Sequence, residues 1–237
     1  MLVAFDWETT SDQPKHCRGV QFAALHAVEG EWFNTICDPE TGIAPGAQKT
    51  HGISREMTLG KPADHVIARQ FLSRLSGETV VGHNIISFDI PITERLAGRP
   101  LPAKVLDTMI LAYRLWPNAP SHRLSASEGE ARTPGAVGLI QWLGLKQETA
   151  HDALGDCQMV LEVLSRQSKD SGMTYEQMAA WQAEPQVLEV CPFGKYKGWD
   201  WKDVPRNYAQ WMANNWSAPS EDMKATLFHH FGLRFKG

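Results

Sequence analysis

Two carboxylates, Asp6 and Glu8, stand two residues apart just after the apolar run Leu2–Phe5. In an extended strand, residues i and i+2 point to the same face, so both acids project side by side. Like charges placed this way repel unless a cation lies between them, and hard carboxylate oxygens suit Mg²⁺ or Mn²⁺. Taken alone, the pair has a plainer account as a solvated strand end. A second run, Val80-Val81-Gly82-His83-Asn84, ends an apolar stretch and is followed by Asp89. Asp89 reads either as a helix cap or as a third carboxylate delivered to the C-terminal edge of a sheet, where open α/β sheets keep their sites. A third run is His151-Asp152-Ala153-Leu154-Gly155-Asp156. Five residues apart, His151 and Asp156 do not share a helix face. The expected geometry puts His151 in an entry turn and Asp156 one turn into the helix. An imidazole can accept a proton near neutrality, although a lone histidine at a helix start is more often structural.

These groups need elements to bring them together. Leu2–Phe5, Val20–His26 and Glu31–Cys37 read as three antiparallel strands, the last two joined around Glu29-Gly30. Ala63–Leu75 carries apolar residues at helical spacing, and Thr79–Gly82 is a short buried strand. Helices are expected over Phe88–Leu96, from a cap at Asp107 through Trp116, over Gly138–Leu143, over Ala153–Ser165 and over Thr174–Gln182. Pro117–Gly138 reads as a long loop. Strands first, helices later and alternation between them indicate an α/β fold with a mixed sheet flanked by helices.

The chain of 237 residues exceeds the usual length of one domain. We divide it into residues 1–166, a polar linker at 167–186, and a small aromatic-rich α+β module at 187–237. A formal charge of -4 excludes a protein that coats nucleic acid by net charge. No run is long and apolar enough to cross a membrane, and the N-terminus lacks a signal-peptide pattern. Cys17, Cys37, Cys157 and Cys191 show no Cys-x-x-Cys spacing, which argues against zinc and fits idle thiols in a reducing cytoplasm.

Together the three runs resemble the motifs of the DnaQ-like exonuclease family, in its DEDDh branch. Phe5 to Thr10 is similar to the first motif, Gly82 to Asp89 to the second, and His151 to Asp156 to the third. His51-Gly52-Ile53 and Leu106-Asp107-Thr108 are similar to two further landmarks. Trp7 between the two acids is a departure, as is the long Pro117–Gly138 segment. The stretch Phe193-Gly194-Lys195-Tyr196-Lys197-Gly198, with Val204 to Trp211, resembles a small C-terminal module of exonuclease X-like proteins. Physically it reads as a tight hairpin displaying two lysines.

The resemblance implies an RNase H-like fold and hydrolysis of terminal phosphodiesters, 3′→5′, to nucleoside 5′-monophosphates. Asp6, Glu8, Asp89 and Asp156 would hold two divalent ions, Mg²⁺ or Mn²⁺. His151 would act as general base. Thr9, Thr10, His83 and Asn84 would meet the terminal nucleotide, and Lys195 and Lys197 the strand. The module tilts the substrate toward single-stranded DNA. The alternatives are an exoribonuclease of the RNase T or oligoribonuclease type and a non-catalytic nucleic-acid-binding scaffold. The module could instead bind a protein partner.

Overall fold

The computed structural model describes residues 1–125, 137–146, 151–216 and 219–235. Five strands form one mixed sheet: β1 (Leu2–Thr9), β2 (Gly19–His26), β3 (Gly30–Ile36), β4 (Thr79–Gly82) and β5 (Lys104–Asp107). Their order is β3-β2-β1-β4-β5. β1 pairs antiparallel with β2, and β2 with β3, whereas β4 lies parallel to both β1 and β5. The mixed sheet is the architecture the sequence predicts.

The helices are α1 (Pro45–His51), α2 (Arg55–Thr58), α3 (Asp64–Arg74), α4 (Asp89–Ala97), α5 (Thr108–Leu115), α6 (Leu139–Trp142), α7 (Ala153–Ser171), α8 (Tyr175–Ala183), α9 (Arg206–Asn215) and α10 (Glu221–Phe231). None of them is long and apolar enough to cross a membrane. Strand alternation sorts the core into two layers. Val3, Phe5 and Trp7 of β1 point to one face and pack with Phe22, Ile67, Phe71 and Ile92 beneath α3 and α4. Leu2 and Ala4 point to the other face and pack with Ala153, Cys157, Val160 and Leu164 of α7. Asp6 and Glu8 continue this second row. The period of two therefore aims both acids at the face that α7 covers.

Several elements differ from expectation. β5 and the short helices α1 and α2 are additional. β5 has only four residues, and its parallel pairing with β4 is non-local. α7 does not stop at Ser165 but runs to Ser171 and ends at Gly172 in the left-handed region (φ 69°). The polar stretch from Gln167 is helical because Gln167 is buried and donates Nε2 to the Thr108 carbonyl (2.7 Å). Most of the segment 167–186 is thus helix: α8 begins with a full capping box at Thr174 and Gln177. Of the long Pro117–Gly138 segment, residues 126–136 lie outside the described residues.

The C-terminal region has its own core around Trp201, Met212, Met223 and Leu227. It consists of α9, α10, two 3₁₀ turns at Gly194–Tyr196 and Trp201–Asp203, and an antiparallel bridge between Val190 and Asp200. The expected hairpin at 193–198 is a 3₁₀ turn closed by that bridge. This region is fastened to the rest by a buried ion pair. Arg114 of α5 and Asp222 of α10 meet at 2.6 Å, with side chains 3% and 6% exposed. Arg114 also donates to the carbonyls of Trp181, Gln182 and Glu184. Lys197 donates to the carbonyl of Pro120.

Candidate active site

Asp6 and Glu8 sit at the C-terminal end of the central strand β1. Asp89 reaches them from the first turn of α4, and its Oδ1 accepts the backbone N–H of Trp7 (3.1 Å). The indole of Trp7 lies on the opposite face, where Nε1 donates to Thr93 Oγ1 (2.9 Å). The residue between the two acids thus ties β1 to α4 on either side of the backbone. From the other layer, α7 brings Asp156 in its first turn, with His151 just before the helix at φ 60°. Glu8, His151 and Asp156 each offer a ligand atom within 4.8 Å of the other two. Asp152 caps α7 by accepting Gly155 N–H (3.1 Å), and its other oxygen accepts Gln21 Nε2 from β2 (2.8 Å). Gln21 therefore seats the whole His151–Asp156 segment on the sheet.

The acids titrate as a crowded, desolvated group. Burial first, then the charges of Asp89, Glu8, Asp156 and Asp152, push the Asp6 carboxyl well above its ordinary value. Glu8 rises to about 7 through burial and the charges of Asp156 and Asp152. Asp89 rises to about 8, chiefly through burial, against the lowering effect of the Trp7 N–H. Among the described residues no lysine or arginine pairs with Asp6, Glu8 or Asp89. Buried carboxylates packed together without a cationic side chain are a hard-oxygen donor set suited to a divalent cation.

The second motif is held by groups distant in sequence. Asp107 caps α5 through Met109 N–H (2.9 Å) and also accepts the N–H groups of Asn84 (2.9 Å) and Ile86 (3.2 Å). Asn84 takes the left-handed conformation (φ 63°) that asparagine tolerates. His83 has both ring nitrogens engaged, Nδ1 with Thr108 Oγ1 (2.9 Å) and Nε2 with the His122 carbonyl (2.7 Å). Burial lowers it to about 4, so it is a neutral strut between β4 and the 119–124 segment. Thr9 and Thr10 are buried, and both hydroxyls are used locally. Thr9 donates to the Ser11 carbonyl (2.7 Å), and Thr10 Oγ1 accepts Arg18 N–H (3.0 Å). His51 stands beside them, with Nε2 3.2 Å from the Thr9 carbonyl. Its pKa is lowered by burial and further by His151. Lys195 lies over the ring of Tyr196, 5.3 Å from its centroid, and Lys197 is on Pro120, both away from the acids in sequence and element.

The exonuclease family model RNase_T matches residues 3–164, and a model described as "Putative quorum-sensing-regulated virulence factor" matches residues 185–237. The chain belongs to the exonuclease family. It is 30% identical over 221 residues to Exodeoxyribonuclease 10 of Escherichia coli (strain K12), covering 89% of this chain and 91% of that protein. A solved structure of exonuclease X in complex with 5′ overhanging duplex DNA is 26% identical, with a TM-score of 0.56, covering 76% of this chain and 98% of that one. E. coli exonuclease I with a dT13 oligonucleotide shares the fold at 17% identity and a TM-score of 0.58, covering 80% of this chain and 47% of that one. The exonuclease is thus a nuclease by descent, and metal dependence is typical of its family. Three further residues hold the candidate site residues in place: Gln21, Asp107 and Asp152. Asp107 is legible as a cap and as part of the Leu106-Asp107-Thr108 landmark, but Gln21 gives no local signal because its partner lies 131 residues away.

Proposed function

We propose that this exonuclease hydrolyses single-stranded DNA from its 3′ end and releases nucleoside 5′-monophosphates. The observation that carries the reading is the convergence of Asp6, Glu8, Asp89, Asp156 and His151 at one end of β1. The names of the relatives, a deoxyribonuclease and DNA-bound exonucleases, favour DNA over RNA. The four carboxylates are assigned to two divalent ions, Mg²⁺ or Mn²⁺. When bound, such ions stabilise charge on the phosphoryl oxygens and lower the pKa of an attacking water. His151, with a ring nitrogen within 4.8 Å of ligand atoms of Glu8 and Asp156, would serve as the general base toward an attacking water. With their hydroxyls engaged, Thr9 and Thr10 offer backbone groups to the terminal nucleotide. Asn84 lies on the open side of the second motif, and His83 braces it. Lys195 and Lys197 are assigned to upstream phosphates; an ammonium has three donors, so Lys197 can hold Pro120 and a phosphate together.

In this reading residues 1–166 carry the chemistry, 167–186 connect, and 187–237 form a module that holds the strand or a protein partner. The four cysteines are free and buried, in keeping with a reducing cytoplasm as the working compartment. The test is digestion of end-labelled single-stranded DNA and RNA of equal sequence with Mg²⁺, Mn²⁺ or EDTA. DNA shortened from its 3′ end only with metal is the expected result. A 3′-phosphate should block degradation and a 5′ block should not. Cutting of circular single strands, or full turnover in EDTA, would overturn the proposal.

A further inference from the structure

A cavity of about 1010 Å³ opens between the catalytic layer and the C-terminal helices. Asn84 and Ile86, from the loop that leads to Asp89, form one end of it. Met109, Ile110 and Tyr113 of α5 line its floor, and Phe193 and Trp216 stand on the far side. We infer that this cleft receives the nucleotides immediately 5′ of the terminal one, a binding site for a flexible single strand. This inference rests on the proposed nuclease function and adds where the rest of the strand goes.

Shape, surface and charge carry the argument. The cleft adjoins the second motif, so a strand with its end at Asp89 passes directly into it. Its aromatic side is rigid: Tyr113 and Phe193 meet edge to face at 6.3 Å, and Phe193 and Trp216 at 4.9 Å. Arg114–Asp222 and Lys197–Pro120 fix that side relative to the sheet. Bases stack on aromatic rings without regard to sequence.

The lining carries three cations, Lys15, Arg95 and Arg114, and three acids, Asp107, Glu221 and Asp222, but they are unevenly paired. Arg114 is neutralised by Asp222, and Glu221 faces Lys224 (2.6 Å). Asp107 is buried, and its carboxylate is turned to three backbone N–H groups, those of Asn84, Ile86 and Met109. Arg95 donates only to the carbonyls of Pro14 and Cys17, and neither it nor exposed Lys15 has a carboxylate partner among the described residues. Two cations without an ion-pair partner among the described residues, Lys15 and Arg95, therefore stand on an apolar, ring-lined trough beside Asn84 and Ile86. A polyanion with flat apolar faces complements both features. An acidic peptide satisfies the charge but does not call for continuity with the carboxylate site.

The test measures binding of a 5′-fluorescein oligothymidylate to the full chain by anisotropy in Ca²⁺, with the parent, Ile110→Glu and Lys15→Glu. Position 110 is in the first turn of α5, where the helix favours a carboxylate, so the helix itself tolerates the change. Lys15 is exposed on a loop, and its reversal leaves the core intact. Ile110→Glu puts a carboxylate in the cleft against the strand's phosphates and should weaken binding about tenfold. Lys15→Glu should weaken it less and flatten the log–log salt slope by about 0.7. Parental affinity and salt slope in both variants, in a protein that still degrades single strands, would overturn the cleft and leave the nuclease reading standing. A parent that neither binds nor degrades single strands would overturn both.

Discussion

Glu8→Gln should make the metal-free protein more stable. Glu8 is raised from an ordinary 4.5 to about 7 by burial and the charges of Asp156 and Asp152. Below the unfolded value both states hold the proton and the group contributes nothing to the pH dependence. Between the two values the folded state keeps a proton that the unfolded state has lost, so stability falls as pH rises through this window. Above about 7 the loss is complete. At about 1.4 kcal/mol per unit, the shift corresponds to roughly 3 kcal/mol. Glutamine keeps the shape and never ionises. Asp156 and Asp152 share part of the repulsion, so the variant should recover about 1–3 kcal/mol at high pH and little near pH 4. Urea unfolding in EDTA, extrapolated linearly at several pH values, reads the difference directly. Adding Mg²⁺ should reverse the ranking, because a cation that binds the native site stabilises by mass action and the parent binds it better. Parallel stability–pH curves for parent and variant, or a variant less stable than the parent at pH 8 in EDTA, would refute the account of a charge-crowded site.

Asp6→Ala should abolish turnover and weaken Mn²⁺ binding, whereas His151→Ala should lower the single-turnover rate by about 10²–10⁴ with Mn²⁺ affinity largely kept. Equal affinity loss in the two would make His151 a ligand, as its closeness to Glu8 and Asp156 allows. Asp107→Ala strands the N–H groups of Asn84, Ile86 and Met109. It should cost about 2–4 kcal/mol by urea unfolding and reduce kcat, with partial rescue by Asp107→Asn; a parental kcat would count against the clamp. Asp222→Ala leaves the buried Arg114 guanidinium uncompensated and should cost about 3–5 kcal/mol. A loss below about 1 kcal/mol would mean that the ion pair does not fasten the C-terminal region.

What was legible in the sequence was what depends on local period and spacing. Asp6 and Glu8 share a face because strands alternate, and Asp156 lies one turn into α7 because Asp152 caps it. β2, β3 and β4 were readable from apolar runs between turns. Partners far away in the chain were not readable. Nothing near His83 announces that Thr108 and His122 occupy its nitrogens, or near Lys197 that the Pro120 carbonyl accepts its hydrogen bond. β5 has too few residues to show a period and exists because β4 offers it a parallel edge. The end of α7 was misplaced because the solvent-facing turns of a long helix resemble a polar linker. Gly172, not composition, marks the stop.

The indole of Trp7 fills the space over Gly19 so completely that a Cβ there would lie 2.2 Å from the ring. The two positions are therefore bound in sign epistasis. Gly19→Ala is harmful while Trp7 stands, because a rigid buried ring cannot step aside, and should become acceptable once a smaller residue replaces the indole. Replacing the indole first relieves the clash at position 19 but gives up its core packing and its hydrogen bond to Thr93, so either single step is harmful on its own. The spacer between two metal-ligand candidates thus also sets which mutational routes the lineage can take.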